Sequence, residues 1–201
     1  MKNKLFLILF LLTFSLVISQ GKKDSIKSNP ILYIGMNLGF VNGNFKGGIA
    51  SFDLNYQQKN NLFTFKYSSI LDFKKLKFFI VFPIANTISE TEQFSLLYGK
   101  RYVEDGFSYH FSGGISYNTT DDRIINKRFS YFGFPVEIGV NWFKSKKKKF
   151  RILYGLIPIG KPTGFGRSIG LKLHANIAKK AYVGLGLNFG IGWHKKYNNE
   201  I

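Results

Sequence analysis

The chain is predicted to be all-β: a single antiparallel, up-and-down transmembrane β-barrel, most simply of eight strands. Three observations predict it. The first is a strict period of two. From Phe165 to Ile177 the odd positions carry Phe165, Ile169, Leu171, Leu173, Ala175 and Ile177, and the even ones carry Gly166, Ser168, Gly170, Lys172, His174 and Asn176. From Ala181 to Trp193 the parity repeats, with Val183, Leu185, Leu187, Phe189, Ile191 and Trp193 against Gly184, Gly186, Asn188, Gly190 and Gly192. Successive side chains of a strand point to opposite faces, so one face is apolar and the other small and polar, as in a barrel wall between lipid and a hydrogen-bonded interior. The second observation is the N-terminus: Lys2 and Lys4 precede an uncharged run from Leu5 to Val17, followed by Ser19 and Gly21. These are the three regions of a Sec signal peptide, cleaved after Ser19, and the run falls short of the ~20 residues that span a bilayer. The third is that no later apolar run is long enough for a spanning helix. A membrane-resident mature chain must therefore cross as strands, which satisfy their backbone hydrogen bonds in lipid only when the barrel closes.

The strands follow in order. Leu32, Ile34, Met36, Leu38 and Phe40 alternate with Tyr33, Gly35, Asn37 and Gly39, and Phe52, Leu54 and Tyr56 alternate with Ser51, Asp53 and Asn55. After the polar turn 57–61, Phe63, Phe65 and Tyr67 face away from Thr64, Lys66 and Ser68. Phe94, Leu96 and Tyr98 oppose Gln93, Ser95, Gly99 and Arg101, and Glu104-Asp105-Gly106 makes a hairpin turn into the next strand. There Phe107, Tyr109, Phe111, Ile115 and Tyr117 oppose Ser108, His110, Ser112, Gly114, Ser116 and Asn118. Phe132, Phe134, Val136, Ile138, Val140 and Trp142 then oppose Gly133, Pro135, Glu137, Gly139 and Asn141. Aromatic residues close many of the apolar faces, as in the interfacial girdles of membrane barrels.

Phe150 to Ile157 is a ninth candidate strand, bounded by a lysine cluster and by Pro158 and Pro162. An antiparallel barrel with both termini on one side needs an even number. Either 144–164 is a loop and the barrel has eight strands, or Leu76 to Ile84 is an extra strand and it has ten. Dropping the proline-flanked segment gives eight, with Phe73 to Thr91 and Thr119 to Arg128 as the long loops of one rim. The domain reading is a cleaved signal at 1–19, a short linker at 20–30, the barrel at 31–193 and a polar tail at 194–201.

These features together resemble the small outer-membrane β-barrel proteins of Gram-negative bacteria. The residues that carry the likeness are the leader, the aromatic-ended strands, the run from Phe132 to Trp142 and the closing pair of Gly-rich strands. The resemblance implies residence in the bacterial outer membrane, chaperone escort across the periplasm and insertion by the barrel-assembly machinery. In one respect the chain departs from the pattern: such barrels often end on Phe, whereas this sequence runs eight residues past Trp193.

The chain has 201 residues and no Cys, which excludes disulfides, thiol catalysis, Cys-ligated metals and acylation on a Cys. With 29 Lys and Arg against 11 Asp and Glu it is strongly basic. The cations sit in short clusters at turns, such as Lys146 to Lys149 and Lys179-Lys180, and not along one helix face or through an aromatic sheet. That arrangement argues against nucleic acid and fits rims that meet lipid phosphates or lipopolysaccharide.

His110, Ser112 and Glu137 have the residue types of a Ser-His-Glu hydrolase, and a His-x-Ser pair resembles outer-membrane lipid A deacylases. Gly113-Gly114 follows where those enzymes are polar, and the parity turns His110 into the lumen, away from lipid. The expected role is a lumenal hydrogen-bond network, in which Asp53 and Glu137 pair with Lys66, Arg101 or Lys172 because an unmatched charge in a narrow barrel is costly. Such pairing would plug an eight-stranded interior. His174 belongs to the same network, since no close His or carboxylate spacing makes it a metal ligand. Gly166, Gly170 and Gly184-x-Gly186 lie in strands and make no phosphate loop. No catalytic, cofactor or metal residue is therefore expected, and no cofactor.

The leading expectation is a non-enzymatic barrel of structural, adhesion or envelope-interaction type with recognition on the long loops, its extracellular partner unspecified. A narrow channel is the alternative if ten strands form. A soluble exported barrel carrying a small apolar ligand is the other alternative, and it requires the faces inverted, with Gly, Ser and Asn outward.

Overall fold

The structure, a computed structural model, describes residues 29–79, 82–153 and 156–197. The predicted signal peptide and residues 198–201 lie outside the described residues. Among the described residues ten strands form: β1 (Ile31–Gly43), β2 (Gly47–Gln58), β3 (Asn61–Phe79), β4 (Phe82–Val103), β5 (Phe107–Asp122), β6 (Lys127–Phe143), β7 (Lys148–Ile152), β8 (Ile157–Thr163), β9 (Phe165–Ala178) and β10 (Tyr182–Trp193). Eight of them close a barrel in the order β1-β10-β9-β6-β5-β4-β3-β2, every neighbouring pair antiparallel. β6 pairs directly with β9, so β7 and β8 stand outside the wall as a two-stranded hairpin.

The eight-stranded count holds, and the ten-stranded barrel does not form. Leu76 to Ile84 is no separate strand, because its residues are shared between the end of β3 and the start of β4. Two expectations about loops are corrected. Phe73 to Thr91 is not a long loop: the β3–β4 ladder runs on to the pair Phe79↔Phe82, through register shifts at Asp72/Phe73 and Phe73/Leu76. A bulge breaks the alternation that marks a strand while the backbone pairing continues beyond it. Thr119 to Arg128 is likewise mostly ladder, with Asp122↔Lys127 as the last pair of β5 and β6. Segment 144–164 holds the β7–β8 hairpin, and the candidate ninth strand is broken by a turn at Leu153, whose φ is 47°.

The faces fall as the alternation requires. Leu185 and Leu187 are about half exposed, at 57% and 49%, while Asn188 between their neighbours is at 2%. Asp53, Lys66, Glu137 and Lys172 all turn inward and are buried. The inverted arrangement needed by a soluble carrier of an apolar ligand is therefore not the one the chain adopts. Outside, aromatic pairs ring the wall at two heights. Near the chain ends are Tyr56–Phe63, Tyr102–Tyr109, Phe107–Trp142 and Phe165–Trp193, with ring centroids 5.2–6.4 Å apart. Near the far rim are Tyr67–Phe94 and Tyr117–Phe132, at 4.9 and 5.5 Å. Tyr109 to Tyr117 on β5 runs ~27 Å along the strand at ~3.4 Å per residue, and a tilt of ~40° reduces that to a height of ~21 Å between the two aromatic levels, a little less than the ~25 Å apolar band of membrane barrels.

The seam between the first and last strands runs from Leu32↔Trp193 to Gly43↔Tyr182. An asparagine pins each end. Asn29 accepts from the Tyr197 N–H at 2.9 Å and donates to the Lys195 carbonyl at 2.9 Å. Asn44 donates its backbone N–H to the Ala181 carbonyl and accepts the Ala181 N–H on its side chain, both at 2.8 Å.

The outward face predicts a depth-dependent response to charge. Leu187, paired with Leu38 and Leu171 in mid-wall, should lose about 2–4 kcal/mol as Leu187→Arg, whereas Val183→Arg near the far rim should lose about 0–1 kcal/mol. Urea titration of the two variants refolded into lipid vesicles measures both. Equal losses would place the apolar band elsewhere.

Candidate functional site

The lumen is filled in tiers, and each tier follows from which inward positions the register brings level. In the middle sit four charges. Asp53 on β2 pairs across the ladder with Lys66 on β3, and Lys172 on β9 lies across from Gly139 on β6, two residues from Glu137. Lys66 Nζ bonds Glu137 Oε1. Lys172 Nζ lies 3.1 Å from Asp53 Oδ1 and 3.9 Å from Glu137 Oε2, so the two lysines and two carboxylates form one connected, neutral set. Asn55 donates to Asp53 at 2.5 Å and accepts from the Thr64 hydroxyl at 2.8 Å. A buried ion is tolerated only when paired and hydrogen-bonded, and these are.

Toward the chain ends, Arg101 is fully buried without a carboxylate partner. Its guanidinium donates to Gln57 Oε1 at 2.6 Å, the His194 carbonyl at 2.9 Å and Ser108 Oγ at 2.9 Å. It also sits over the Tyr33 and Phe143 rings at 4.9 and 5.8 Å, where the ring quadrupoles attract a cation. Toward the far rim, Asn176 bonds Asn118 at 3.0 Å and Gln93 at 3.3 Å, and the Tyr182 hydroxyl donates to Gln93 at 2.7 Å. Val41, Phe45, Ile49, Ile70 and Tyr182 then close that mouth as an apolar cluster.

Glycine makes the room. Gly184 is the cross-strand partner of His174, and a Cβ there would fall 2.3 Å from the His174 ring. Gly35 stands opposite Asp53 in the same way. The small residues of the alternating pattern are thus the space into which long polar side chains lean, at positions where a larger residue would force them aside.

Of the residues singled out in the sequence, Asp53, Lys66, Glu137 and Lys172 come together as expected, while Arg101 bonds to neutral acceptors. His110, Ser112 and Glu137 do not make a hydrolase set. Among the described residues Ser112 Oγ and His110 Nδ1 have no hydrogen-bond partner, and Glu137 is engaged by the two lysines. All three are buried in the lumen at 2–4% exposure. His174 packs edge-on against Tyr182, and His194 lies between the Tyr33 and Phe143 rings. Among the described residues no group of His, Asp and Glu is arranged to hold a metal ion. The Gln93–Asn118–Asn176 tier was not anticipated. Its signal was present, since all three occupy inward parity, but polar amides at such positions do not reveal their partners before the register is known.

The rims differ from each other. At the far rim the charges of both signs pair, Lys180 with Asp122 at 3.3 Å and Arg123 with Glu90 at 3.8 Å. Desolvation raises the Asp122 pKa, but Lys180 and the backbone N–H groups of Ile124 and Ile125 outweigh it and hold the carboxyl below its ordinary value. Ile124 and Ile125 stand exposed at the tip of the β5–β6 hairpin. At the rim of the chain ends Lys195 bonds Asp105 at 2.6 Å and keeps that carboxyl below its ordinary range. Lys144 and Lys146 to Lys149 lead from β6 into the β7–β8 hairpin there.

Among solved structures the chain is similar to the N-terminal β-barrel domain of Pseudomonas aeruginosa OprF, with a TM-score of 0.51 at 11% identity over 82% of this chain and 98% of that one. Neisserial surface protein A gives 0.48 at 11% identity, over 83% of this chain and 99% of that one. Ail, the attachment invasion locus protein of Yersinia pestis, gives 0.47 at 8% identity, over 85% and 99%. The likeness to the OprF barrel is one of fold: a small closed antiparallel β-barrel. No family model matches the sequence, and no curated protein matches it.

The connected charges generate a prediction. Glu137→Leu should leave Lys66 without its carboxylate and lower stability by about 3–5 kcal/mol, and adding Lys66→Met should recover most of that loss. A double-mutant cycle on urea unfolding measures the coupling. Strictly additive losses would mean that the two side chains do not act as a pair.

Proposed function

We propose that this chain is a non-enzymatic resident of the bacterial outer membrane, a structural or envelope-interaction barrel whose lumen does not conduct. One observation carries the reading: a closed eight-stranded wall, apolar outside, surrounds an interior filled by side chains, with four ions paired at its middle. Eight strands enclose an interior only just wide enough for side chains. Here ion pairs fill the middle, Arg101 one end and the Phe45 cluster the other.

The recognition surface belongs to the far rim. A rigid barrel commonly presents recognition on its connecting segments. The β5–β6 tip offers Ile124 and Ile125 to the outside, beside the charged pairs of Asp122 with Lys180 and Glu90 with Arg123. The extended β3–β4 ladder rises from the same rim. An adhesion role toward another surface or protein fits an exposed apolar tip framed by charge. Delivery in this reading uses residues 1–19 as the export signal and the barrel-assembly machinery for insertion.

The mature protein should sediment with outer membranes and migrate faster on a gel before boiling than after, because a closed barrel resists detergent until heated. Planar bilayers containing it should show no steady conductance. Recovery from the soluble periplasmic fraction would overturn the membrane reading, and sustained channel openings would overturn the closed lumen.

A further inference from the structure

We propose that the rim carrying the chain ends holds a binding site for an anionic glycerophospholipid, its acyl chain on the outer wall and its phosphate among lysines. The proposal rests on the membrane reading above and adds a place and a ligand chemistry to it. Two adjoining concavities make the site. On the outer wall a groove of about 760 Å³ runs across β6, β9, β10 and β1 to β2. Its floor includes Met36, Phe52, Trp142, Ile169, Phe189 and Ile191, and Lys144 and Arg167 border it. Its volume is within the ~300–1,000 Å³ typical of small-molecule sites.

Above it, a second cleft of about 160 Å³ is lined by Lys144, Lys146, Lys148, Lys149, Arg167 and Tyr197. Phe143, Lys144 and Arg167 line both, so the apolar trough leads directly into the cationic one. No Asp or Glu lines either concavity.

The geometry of the chain places these cations deliberately close. Lys144 follows the last residue of β6, and Tyr197 folds back to donate its hydroxyl to the Lys144 carbonyl at 2.6 Å, which fixes the backbone from which the lysine projects. The side chains of Lys144, Lys146, Lys148 and Lys149 are exposed. At the far rim Lys180 and Arg123 meet carboxylates; here Lys195 meets Asp105, while Lys144, Lys146, Lys148 and Lys149 gather as like charges around the cleft. Gathered lysines repel one another unless an anion lies among them. An amphiphile with an apolar tail and a phosphate lacking an ammonium answers both halves of the site, and a zwitterionic headgroup answers only the first. Cationic clusters beside a membrane attract anionic lipid in this way.

Only two tryptophans are present, and one of them, Trp142, lies in the groove. That makes the site readable. Trp193→Phe leaves Trp142 as the reporter, and Trp142→Phe leaves Trp193, which lines neither concavity and packs on Phe165 at the edge of the cationic one. Both proteins are refolded into phosphatidylcholine vesicles doped with brominated phosphatidylglycerol or, at equal mole fraction, brominated phosphatidylcholine.

The expected result is a preference of about fivefold for the brominated anionic lipid at Trp142, equivalent to about 1 kcal/mol, the value of one effective lysine contact. Trp193 should show little preference. Combining Lys144→Gln, Lys146→Gln and Lys148→Gln should bring Trp142 down to the Trp193 ratio, with heat-modifiable migration retained. Inorganic phosphate at matched ionic strength should leave the preference intact.

Equal ratios at the two tryptophans would overturn the site in favour of general surface attraction. A preference that survives the triple substitution would overturn the lysine assignment, and displacement by inorganic phosphate would make the cleft a free-anion site. Absence of quenching by either lipid would instead overturn the membrane reading beneath it.

Discussion

The pairing of Lys66, Glu137, Lys172 and Asp53 inside the wall is the interaction on which the rest depends. A closed eight-stranded sheet leaves an interior too narrow for bulk water to solvate isolated ions, so a charge that enters needs a counter-charge there or, like Arg101, hydrogen bonds and ring contacts. In mid-lumen this chain matches two of each sign, from β2, β3, β6 and β9, and the match specifies more than energy. A slip of one residue between any of these strands would turn a charge toward lipid and an apolar residue toward the lumen. The ion set therefore selects the register, the register sets the outer apolar band, and the band determines where the two rims stand.

The outside of the barrel was far more legible than the inside or the ends. Alternation such as Leu185-Gly186-Leu187-Asn188 specifies face and strand together, because lipid demands a large apolar residue at every second position. The inward faces of Asp53, Lys66, Glu137 and Lys172 were readable for the same reason. Their partners were partly readable, because few opposite charges share the lumen. Arg101 was not: its acceptors are Gln57, Ser108 and a carbonyl, neutral groups that no charge pattern marks.

Beyond the bilayer the periodic signal stops while the ladder does not. From Phe73 outward the register shifts at Asp72/Phe73 and Phe73/Leu76 interrupt the alternation, and the backbone ladder still extends β3 and β4 to Phe79 and Phe82. The β7–β8 hairpin was obscured in a similar way. Its segment has the composition of a loop, with Pro158 and Pro162 inside β8, and proline is tolerated there because a two-stranded ribbon is all edge.

The seam with its two asparagines has a consequence for how the barrel assembles. Every other wall contact joins strands that follow each other closely along the chain or are separated only by the β7–β8 excursion, whereas β1 and β10 must meet across nearly the whole domain. Contacts of such sequence separation form late, since the intervening chain must be ordered first. Until they form, both terminal strands are open edges, able to pair with any other strand they encounter. Asn29 and Asn44 bridge the join at opposite ends, each with hydrogen bonds running both ways, so the last contact to form is clasped at both rims at once. The same clasps oppose unzipping from either end, so the finished barrel opens only after the hydrogen bonds of one asparagine have broken.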